Sequence, residues 1–250
     1  MTENKRVLPF NEEKKFVASL GGSVLFGELK SCETNSLVEF DEVFVGAMIE
    51  FLRSLSEEEY STAIVVGGGG VARARQEDIE KLAGDSDELR VQLDHIGIGV
   101  SETNAASLLT VLLTNGIPAA RLKRDQEDFE SSKVYVRGGT EPGHTTDFVA
   151  VQAAVGMGAS IVVNISNTPG LHPFLEDGSL DKSQIIDKLS LSEYIEKFAV
   201  EHDSGVNTPF DVKGARLAME HGIIVVLVGN DPENIKRLQA GEDFIGTVLN

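Results

Sequence analysis

The chain has 250 residues, of which 41% are hydrophobic, and its formal net charge is −18 at pH 7. This length supplies one large hydrophobic core or two small ones. The strong negative charge argues against a broad nucleic-acid-binding face, because the phosphate backbone would be repelled.

Other features of the composition favour a cytoplasmic protein without a membrane partner. A single cysteine, Cys32, excludes an internal disulfide. The N-terminal segment is charged and lacks the apolar stretch of a signal peptide. The longest unbroken aliphatic run, 223–228, is far too short to span a bilayer.

Strand-like and helix-like segments alternate along almost the whole chain. Short β-rich runs predict strands at 17–20, 62–66, 117–121, 133–136, 161–165, 223–228 and 246–249. Apolar spacing and capping residues predict helices at 37–55, 71–82, 101–113, 147–155, 191–200, 210–221 and from 231 onward. The alternation predicts an α/β fold with a parallel sheet covered on both faces. We expect one domain over 1–250, with a soft division near residue 160.

Glycine clusters follow three of the predicted strands, at 21–22, 67–70 and 138–139. Ligands of open α/β sheets bind beyond the carboxyl ends of the strands. Glycines there let the backbone approach a ligand and offer free amides to phosphate oxygens. The clusters therefore indicate a phosphorylated ligand, although each alone is also typical of a tight turn. The sequence lacks GxxxxGK[ST], which excludes a P-loop enzyme, and lacks GxGxxG, which argues against a dinucleotide site.

Five segments together carry a family resemblance: "SLGGSV", "VVGGGGVAR", "DHIGIGV", "GGTEPGHTTD" and "FIGTVL". They resemble the archaeal-type UMP kinases of the amino acid kinase superfamily, over residues 16–249. The resemblance implies a three-layer α/β/α sandwich with a mostly parallel sheet of about eight strands. It also implies transfer of the ATP γ-phosphoryl group to UMP in pyrimidine biosynthesis, with Mg²⁺, for which we assign no protein ligand. The family implies hexamers built from dimers.

The resemblance assigns residues to the acceptor nucleotide. It implies that UMP is bound by Gly68, Asp94, Thr140, Glu141, Pro142, Gly143, His144, Thr145 and Thr146. Threonine hydroxyls, which both donate and accept hydrogen bonds, suit this role. His144 is expected to shape the loop rather than transfer protons, because a phosphate acceptor is already ionised. Asp94 is equally compatible with an ordinary turn before a helix.

Two aspartates are assigned to catalysis by the resemblance. It implies that Asp147 lies between donor and acceptor and organises the site, and that Asp211 lies near the ATP phosphates. Each is also predicted to begin a helix, where aspartate is a common N-cap. The capping and catalytic interpretations are compatible.

The resemblance also assigns a donor site. It implies that ATP is contacted by Gly21, Gly22, Ser23, Gly69, Arg73, Ser166 and His172. Arg73 is expected in the first turn of a helix, where anions are favoured, although a solvated helix face is the alternative.

The sequence departs from the family pattern at one position in the first strand and in the donor loop. Ser19 stands where bacterial relatives carry a lysine, so the positive charge for phosphoryl transfer must come from elsewhere. The family's donor loop, approximately TNVDGVYxxDP, is "SNTPGLHPF" here, with Pro169 in place of an aspartate and His172 in place of a tyrosine. The alternatives are a loop that has drifted in a working kinase, a loop that binds ATP through different contacts, a preference for another nucleoside triphosphate, and a weakened donor site.

Three hypotheses follow from this pattern. The first is a UMP kinase, favoured by the intact acceptor segment. The second is a superfamily kinase for another small acid or phosphate. The third is a catalytically silent UMP or UTP sensor, favoured only by the altered donor loop and opposed by Asp147 and Asp211.

Overall fold

An eight-stranded sheet runs through the middle of the protein. The computed structural model describes residues 8, 10–26, 39–83, 86–175, 178–199 and 208–250. Within them the strand order is β3-β4-β2-β1-β5-β7-β8-β6. The strands are β1 (Lys15–Leu20), β2 (Ser61–Val66), β3 (Ala119–Arg121), β4 (Lys133–Arg137), β5 (Ile161–Ser166), β6 (Lys188–Leu189), β7 (Ile224–Gly229) and β8 (Thr247–Leu249). Among the pairings of these described strands, only that of β7 with β8 is antiparallel, which confirms the mostly parallel sheet.

Helices cover both faces of the sheet and form two hydrophobic cores. They are α1 (Phe10–Glu13), α2 (Gly22–Leu25), α3 (Glu42–Glu57), α4 (Gly69–Ala83), α5 (Asp87–Thr114), α6 (Thr146–Met157), α7 (Leu191–Ala199), α8 (Val212–Glu220) and α9 (Pro232–Ala240). The first core joins the sheet to α3, α5 and α9. The second core joins it to α6, α7 and α8. This arrangement confirms the three-layer α/β/α sandwich.

Strand alternation places two polar side chains on the α6 face of the sheet. In β1, Ala18 and Leu20 belong to the first core, so Ser19 between them points to the opposite side. In β5, Val163 and Ile165 also belong to the first core, and Asn164 points away from it. Ser19 and Asn164 are direct neighbours in the register of β1 with β5. The sequence pattern of these two strands therefore presents one polar pair toward α6.

The predicted strands and most predicted helices are present within a few residues of their expected bounds. The strand run at 223–228 is β7, and the run at 161–165 is β5. The helix predicted over 37–55 begins at Glu42, where Asp41 is the N-cap, and positions 37–38 lie outside the described residues. Position 200, the predicted end of α7, also lies outside them.

Helix α5 is twice as long as the sequence predicts. We expected it to begin at Ser101, but its N-cap is Ser86, whose side chain accepts a hydrogen bond from the backbone N–H of Leu89 at 3.1 Å. Gly97 and Gly99 lie inside the helix. Because an interior glycine costs about 1 kcal/mol relative to alanine, such a segment does not look helical in sequence. The prediction for the first half of α5 was therefore wrong.

The length and composition of α5 have a further consequence. Its segment Glu88–Thr114 is long and apolar enough to cross a membrane by those two criteria alone, as the core helix of a soluble protein can also be. Here it packs against α4 and against β2, β3 and β4.

Candidate active site

The first turn of α6 places Asp147 at the centre of the candidate site. The N-cap of this helix is Thr145, whose side chain accepts a hydrogen bond from the backbone N–H of Phe148 at 3.2 Å. The prediction that Asp147 is the N-cap was therefore wrong. Because Thr145 performs the capping, the Asp147 carboxylate is available for other partners.

Three donors converge on the Asp147 carboxylate. The Ser19 hydroxyl and the Asn164 side-chain amide each donate to its Oδ1 at 2.7 Å. The backbone N–H of Asp211 donates to its Oδ2 at 3.2 Å. The side chain thus links β1, β5 and the start of α8. Sequence reasoning assigned no role to Asn164, and its only signal is an amide inside an otherwise aliphatic strand.

Burial raises the pKa of Asp147 to about 6, because it disfavours the charged form of the carboxyl. The nearby carboxylate of Asp211 acts in the same direction. The hydrogen bonds from Ser19, Asn164 and the Asp211 backbone favour the charged form and oppose the shift. Asp147 therefore changes its charge close to neutral pH, and ionisable groups with such shifts are concentrated at functional sites.

Asp211 caps α8, as the sequence predicts. Its Oδ1 accepts the backbone N–H of Lys213 at 2.8 Å, and its Oδ2 accepts the Thr145 hydroxyl at 2.5 Å. The preceding turn is held by buried Tyr194, whose hydroxyl donates to the carbonyl of Phe210 at 2.6 Å and accepts its N–H at 2.9 Å. These contacts fix the two aspartates relative to each other.

A cavity of about 350 Å³ lies on one side of this centre, and we call it the glycine cavity. It is lined by Gly68, Gly69, Ala72, Arg73, Gln76, Asp94, Gly97, Ile98, Ser101, Gly139, Gly143, His144, Thr145 and Thr146. Its walls are the loop after β2, the start of α4, the first half of α5 and the segment before α6. Two of the three predicted glycine clusters line this cavity, through Gly68, Gly69 and Gly139, and the third, at 21–22, packs against the loop after β2.

Helix α5 holds the loops around the glycine cavity. Asp94 accepts the backbone N–H of Gly143, a residue with φ +80°, at 2.7 Å. The hydroxyl of Ser101 accepts the N–H of Gly139 at 2.8 Å, and the Asn104 amide donates to the carbonyl of Gly67 at 2.9 Å. Asp94 is therefore a helix residue that faces the cavity, and the interpretation as a turn residue was wrong.

The loops after β1 and β2 approach each other closely. A Cβ on Gly22 would lie 2.3 Å from the Gly67 carbonyl oxygen and 2.6 Å from the backbone nitrogen of Gly69. Only glycine fits between these two backbones. Ser23 completes the contact, because its hydroxyl accepts hydrogen bonds from the Gly70 N–H and the Arg73 guanidinium, each at 3.1 Å.

Lys213 is a cation at this site that sequence reasoning missed. It lies in the first turn of α8, and its Nζ donates to the carbonyl of Gly143 at 3.1 Å. This contact joins the helix that Asp211 caps to the loop that lines the glycine cavity. Its only sequence signal is its place two residues after Asp211.

A second cavity of about 430 Å³ lies on the other side of Asp147, and we call it the loop cavity. It is lined by Ser19, Gly21, Thr146, Asp147, Asn164, Ile165, Ser166, Thr168, Gly170, Leu171, His172, Phe174, Leu180, Phe198, Thr208 and Pro209. Phe174 and Leu180 remain 45% and 44% exposed. Large apolar side chains left open in a cavity are typical of a ligand-binding surface.

The altered "SNTPGLHPF" segment has an ordered structure along the loop cavity. The Thr247 hydroxyl accepts the N–H of Leu171 at 2.8 Å and donates to the carbonyl of Ile186 at 2.6 Å. The His172 Nδ1 lies 2.6 Å from the carbonyl oxygen of Gln184. The loop is therefore anchored to β8 and to the segment before β6.

The two cavities meet at Thr146, which lines both of them, next to Asp147. Most of the predicted site residues lie on one or other of these walls. Gly21, Ser166 and His172 line the loop cavity, as the donor assignment implies. Gly69 and Arg73, which the resemblance assigns to the donor, line the glycine cavity instead.

Three of the residues that the resemblance assigns to UMP do not line the glycine cavity. Thr140 lies on a separate cavity behind the loop. Glu141 contacts Arg124, and Pro142 lines neither the glycine cavity nor the loop cavity. His144 packs its ring against Phe148 with centroids 4.3 Å apart, which agrees with a shaping role.

Comparisons with known proteins agree with this architecture. The family model described as the amino acid kinase family matches residues 14–230. A uridylate kinase from Haloquadratum walsbyi is 32% identical over 239 residues, which cover 93% of this chain and 92% of that protein. The crystal structure of a uridylate kinase from Archaeoglobus fulgidus superposes with a TM-score of 0.68 at 28% identity, and covers 94% of this chain and 100% of that one. A UMP kinase structure from Bacillus anthracis has the same fold, with a TM-score of 0.70 at 19% identity and coverage of 95% and 96%.

Proposed function

This chain belongs to the amino acid kinase family, and we propose that it acts as a UMP kinase, which transfers the γ-phosphoryl group of ATP to UMP and releases ADP and UDP. It is an enzyme of the nucleoside monophosphate kinase class. The archaeal relatives named uridylate kinase cover nearly its whole length and support this function.

One observation in the structure carries the proposal. Two separate cavities share Thr146 in their linings, and Asp147, the next residue, lines the loop cavity. Phosphoryl transfer needs the attacking and leaving oxygens roughly in line, with the transferred group between them. A donor in one cavity and an acceptor in the other would meet this requirement, and a protein that only binds one nucleotide has no need of the second cavity.

The glycine cavity is the proposed UMP site. Its phosphate would lie near Gly68, the first turn of α4 and Arg73, where free backbone amides and a guanidinium favour an anion. Asp94 can accept hydrogen bonds from ribose hydroxyls at its free lone pairs. The uracil would lie toward the loop that ends at Thr146. Arg73, which the resemblance assigns to ATP, is therefore a proposed contact of the UMP phosphate.

The loop cavity is the proposed ATP site. Gly21 and its neighbours would contact the phosphates, with Gly22 and Ser23 holding that loop in place. The base would lie against Phe174 and Leu180. Because this part of the wall is apolar, it would bind a purine through apolar contact rather than through hydrogen bonds that distinguish one base from another.

Asp147 and Asp211 are the proposed catalytic residues. Asp147, held by Ser19 and Asn164, would position the reacting groups between the cavities. Arg73 and Lys213 supply positive charge near the acceptor side. Stabilisation of the charge on the transferred group by such fixed groups is the main catalytic term in phosphoryl transfer.

Magnesium fits this site as a metal held mainly by the nucleotide. The described part of the chain contains no group of three or more His, Cys, Asp or Glu side chains placed to hold a metal. Mg²⁺ typically binds substrate phosphates with one or two protein carboxylates, and the residues that would hold it are Asp147, which lines the loop cavity, and Asp211, whose backbone N–H contacts Asp147. The metal would neutralise charge on the ATP phosphates.

We further propose that residues 1–250 form one cytoplasmic domain that assembles into a homo-oligomer, a hexamer by family resemblance. A single sheet that takes strands from both sides of residue 160 supports one domain. Gel filtration with light scattering measures the assembly, and a monomer at micromolar concentration would contradict it.

The function is tested by a turnover panel with ATP, Mg²⁺ and each nucleoside monophosphate. We expect UDP from UMP, with kcat/KM for CMP lower by two orders of magnitude, because a loop built for one pyrimidine edge leaves buried groups unpaired with the other. Equal values for UMP and CMP would contradict the acceptor assignment. Tight binding of UMP without turnover would indicate a sensor instead.

A further inference from the structure

A third cavity, apart from the two nucleotide cavities, lies between the end of β4, the segment after β3 and the outer face of α6. We call it the cationic cavity, because its lining includes Lys123, Arg124 and Arg137, together with Thr140 and Gln152. Its volume is about 170 Å³. Pockets for drug-sized ligands have volumes of about 300–1,000 Å³, so this cavity fits a small chemical group rather than a whole nucleotide.

Strand alternation directs Arg137 into this cavity. On β4, Val134 and Val136 belong to the first core and Tyr135 belongs to the second. Arg137, one residue after Val136, therefore projects to the side of α6. The same side carries Val149 and Gln152 of α6, which line the cavity with it.

The guanidinium of Arg137 forms no hydrogen bond or ion pair with the described part of the chain, and the nearby opposite charge that acts on it, Glu102, is already paired with Arg121. Its Nε is buried without a hydrogen bond. Burial lowers the pKa of Arg137, Arg121 and Arg124 add to this effect, and only Glu102 opposes it. A buried charge without a partner is costly, and in folded proteins such charges are normally paired.

Two further groups around the cavity have no partner among the described residues, the buried Thr140 hydroxyl and the exposed Lys123. The Thr140 hydroxyl is buried and has no hydrogen-bond partner among the described residues. Lys123 forms no ion pair with a described residue, whereas Arg124 contacts Glu141. The chain has 40 acidic and 22 basic residues, so carboxylate partners for cations are abundant elsewhere. A small cavity that keeps two cations and a hydroxyl free is complementary to an anion.

We propose that the cationic cavity binds a phosphate-sized tetrahedral anion, with Arg137 and Lys123 as its charge partners and Thr140 as a hydroxyl donor. The anion is either free inorganic phosphate or the phosphate group of a larger molecule that reaches the cavity from solvent. A guanidinium is well suited to phosphate oxygens, because its donors form a rigid fork. The site does not depend on the proposed UMP kinase activity.

Titration calorimetry on the full chain tests the proposal. UMP and a non-hydrolysable ATP analogue are present throughout, so that phosphate does not compete for the nucleotide cavities. We expect inorganic phosphate to bind, and R137M to weaken its binding at least tenfold. The matched control is R237M, which removes an exposed arginine of α9 on the other face of the sheet and should leave phosphate binding unchanged.

A second titration with glycerol phosphate distinguishes the two sources of the anion. If glycerol phosphate binds as tightly as phosphate and R137M weakens it equally, the cavity takes the phosphate group of a larger molecule. If only inorganic phosphate binds, the ligand is the free anion. Both results support the site, because both depend on Arg137.

Thermal melting with and without phosphate separates a loss of phosphate binding from a loss of stability. Without phosphate, R137M should melt no lower than the wild type, because it removes an unpaired buried charge. With phosphate, the wild type and R237M should gain stability and R137M should not. Should R137M fail to fold, K123M replaces it in both measurements.

Two results would overturn the proposal. One is equal phosphate affinity in the wild type and R137M, which would place any bound phosphate elsewhere. The other is a change of oligomeric state in R137M without any effect of phosphate on the wild type, which would show that Arg137 pairs with a second copy of the chain.

Discussion

Replacing Asp147 by asparagine removes one charge from the centre of the site while keeping the shape of the side chain. The carboxylate now accepts from Ser19 and Asn164 at one oxygen and from the Asp211 N–H at the other. Asparagine has one acceptor oxygen, so it can keep the first two contacts and must turn its own N–H group toward that of Asp211. The substitution therefore has two effects on the free energy of unfolding. Loss of the contact with the Asp211 N–H lowers it at every pH, and loss of the buried charge raises it where Asp147 is ionised.

The magnitude of the gain follows from the pKa of Asp147, which burial raises from 3.8 to about 6. A difference of one in pKa corresponds to about 1.36 kcal/mol, so the rise from 3.8 to about 6 corresponds to about 3 kcal/mol. Because the folded pKa is raised, this stability is present below the unfolded pKa and is lost as pH rises through about 6. Roughly 2 kcal/mol of the loss falls between pH 4.5 and pH 8. Asparagine does not titrate, so D147N should gain about this much relative to the wild type.

Urea unfolding at pH 4.5 and pH 8 measures this difference, which corresponds to about 4–8 °C in Tm for a domain of this size. Activity should respond in the opposite direction: turnover of D147N should fall about a hundredfold or more. In the wild type, kcat/KM for UMP should rise with pH through about 6, because it reports groups of the free enzyme. D231N is the control, since Asp231 is an exposed N-cap of α9 and asparagine caps equally well.

Two results would refute this reasoning. A stability difference between D147N and the wild type that stays constant from pH 4.5 to pH 8 would show that burial does not shift the pKa of Asp147. Activity of D147N close to that of the wild type would exclude a catalytic role for its charge. The two outcomes are independent, so each half of the argument can fail alone.

Further predictions concern the loops and the two cavities. K213M should lower kcat/KM for UMP about tenfold or more through loss of a charged hydrogen bond, whereas K236M on the exposed side of α9 should have no effect on steady-state kinetics. G22A should lower Tm and abolish activity, because its Cβ would lie 2.3 Å from a backbone oxygen, whereas G46A meets no atom within 4 Å and should be neutral or slightly stabilising. ATP and GTP should have similar KM values and F174A should raise both; a strong ATP preference would show that the loop cavity recognises adenine by hydrogen bonds.

The parts of the fold that could be predicted from the sequence are those with strong local signals. Strands β1, β2, β5 and β7 are rich in aliphatic residues, as buried parallel strands require. Glycine clusters mark the ends of β1, β2 and β4. Capping chemistry predicted Asp211 and Asp231 as N-caps, which the structure confirms. Local patterns of this kind do not depend on distant contacts.

The parts that could not be predicted depend on contacts across the fold. Gly97 and Gly99 look like helix breakers, yet α5 continues through them because β2, β3, β4 and α4 pack along the helix. Asp147 looks like an N-cap, yet Thr145 two residues earlier takes that role. Lys213 looks like a solvent-exposed helix residue until the loop at Gly143 is placed beside it. For α5 and for Lys213, a partner distant in sequence decides between two locally equal interpretations, whereas at α6 two neighbouring cap residues compete.

The placement of Ser19 explains how the site can work without the lysine of bacterial relatives. The Ser19 hydroxyl is the shortest contact that the Asp147 carboxylate makes with β1, at 2.7 Å. A lysine there would pair with Asp147 and lower its pKa, whereas serine leaves the carboxyl with a pKa of about 6. The positive charge is found instead on α4 and α8, where Arg73 and Lys213 face the acceptor loop. Under the proposed function, charge stabilisation of the transferred phosphoryl group would come from Arg73 and Lys213, and the contacts of Asp94 and Lys213 with Gly143 would hold the loop before α6 in place for transfer.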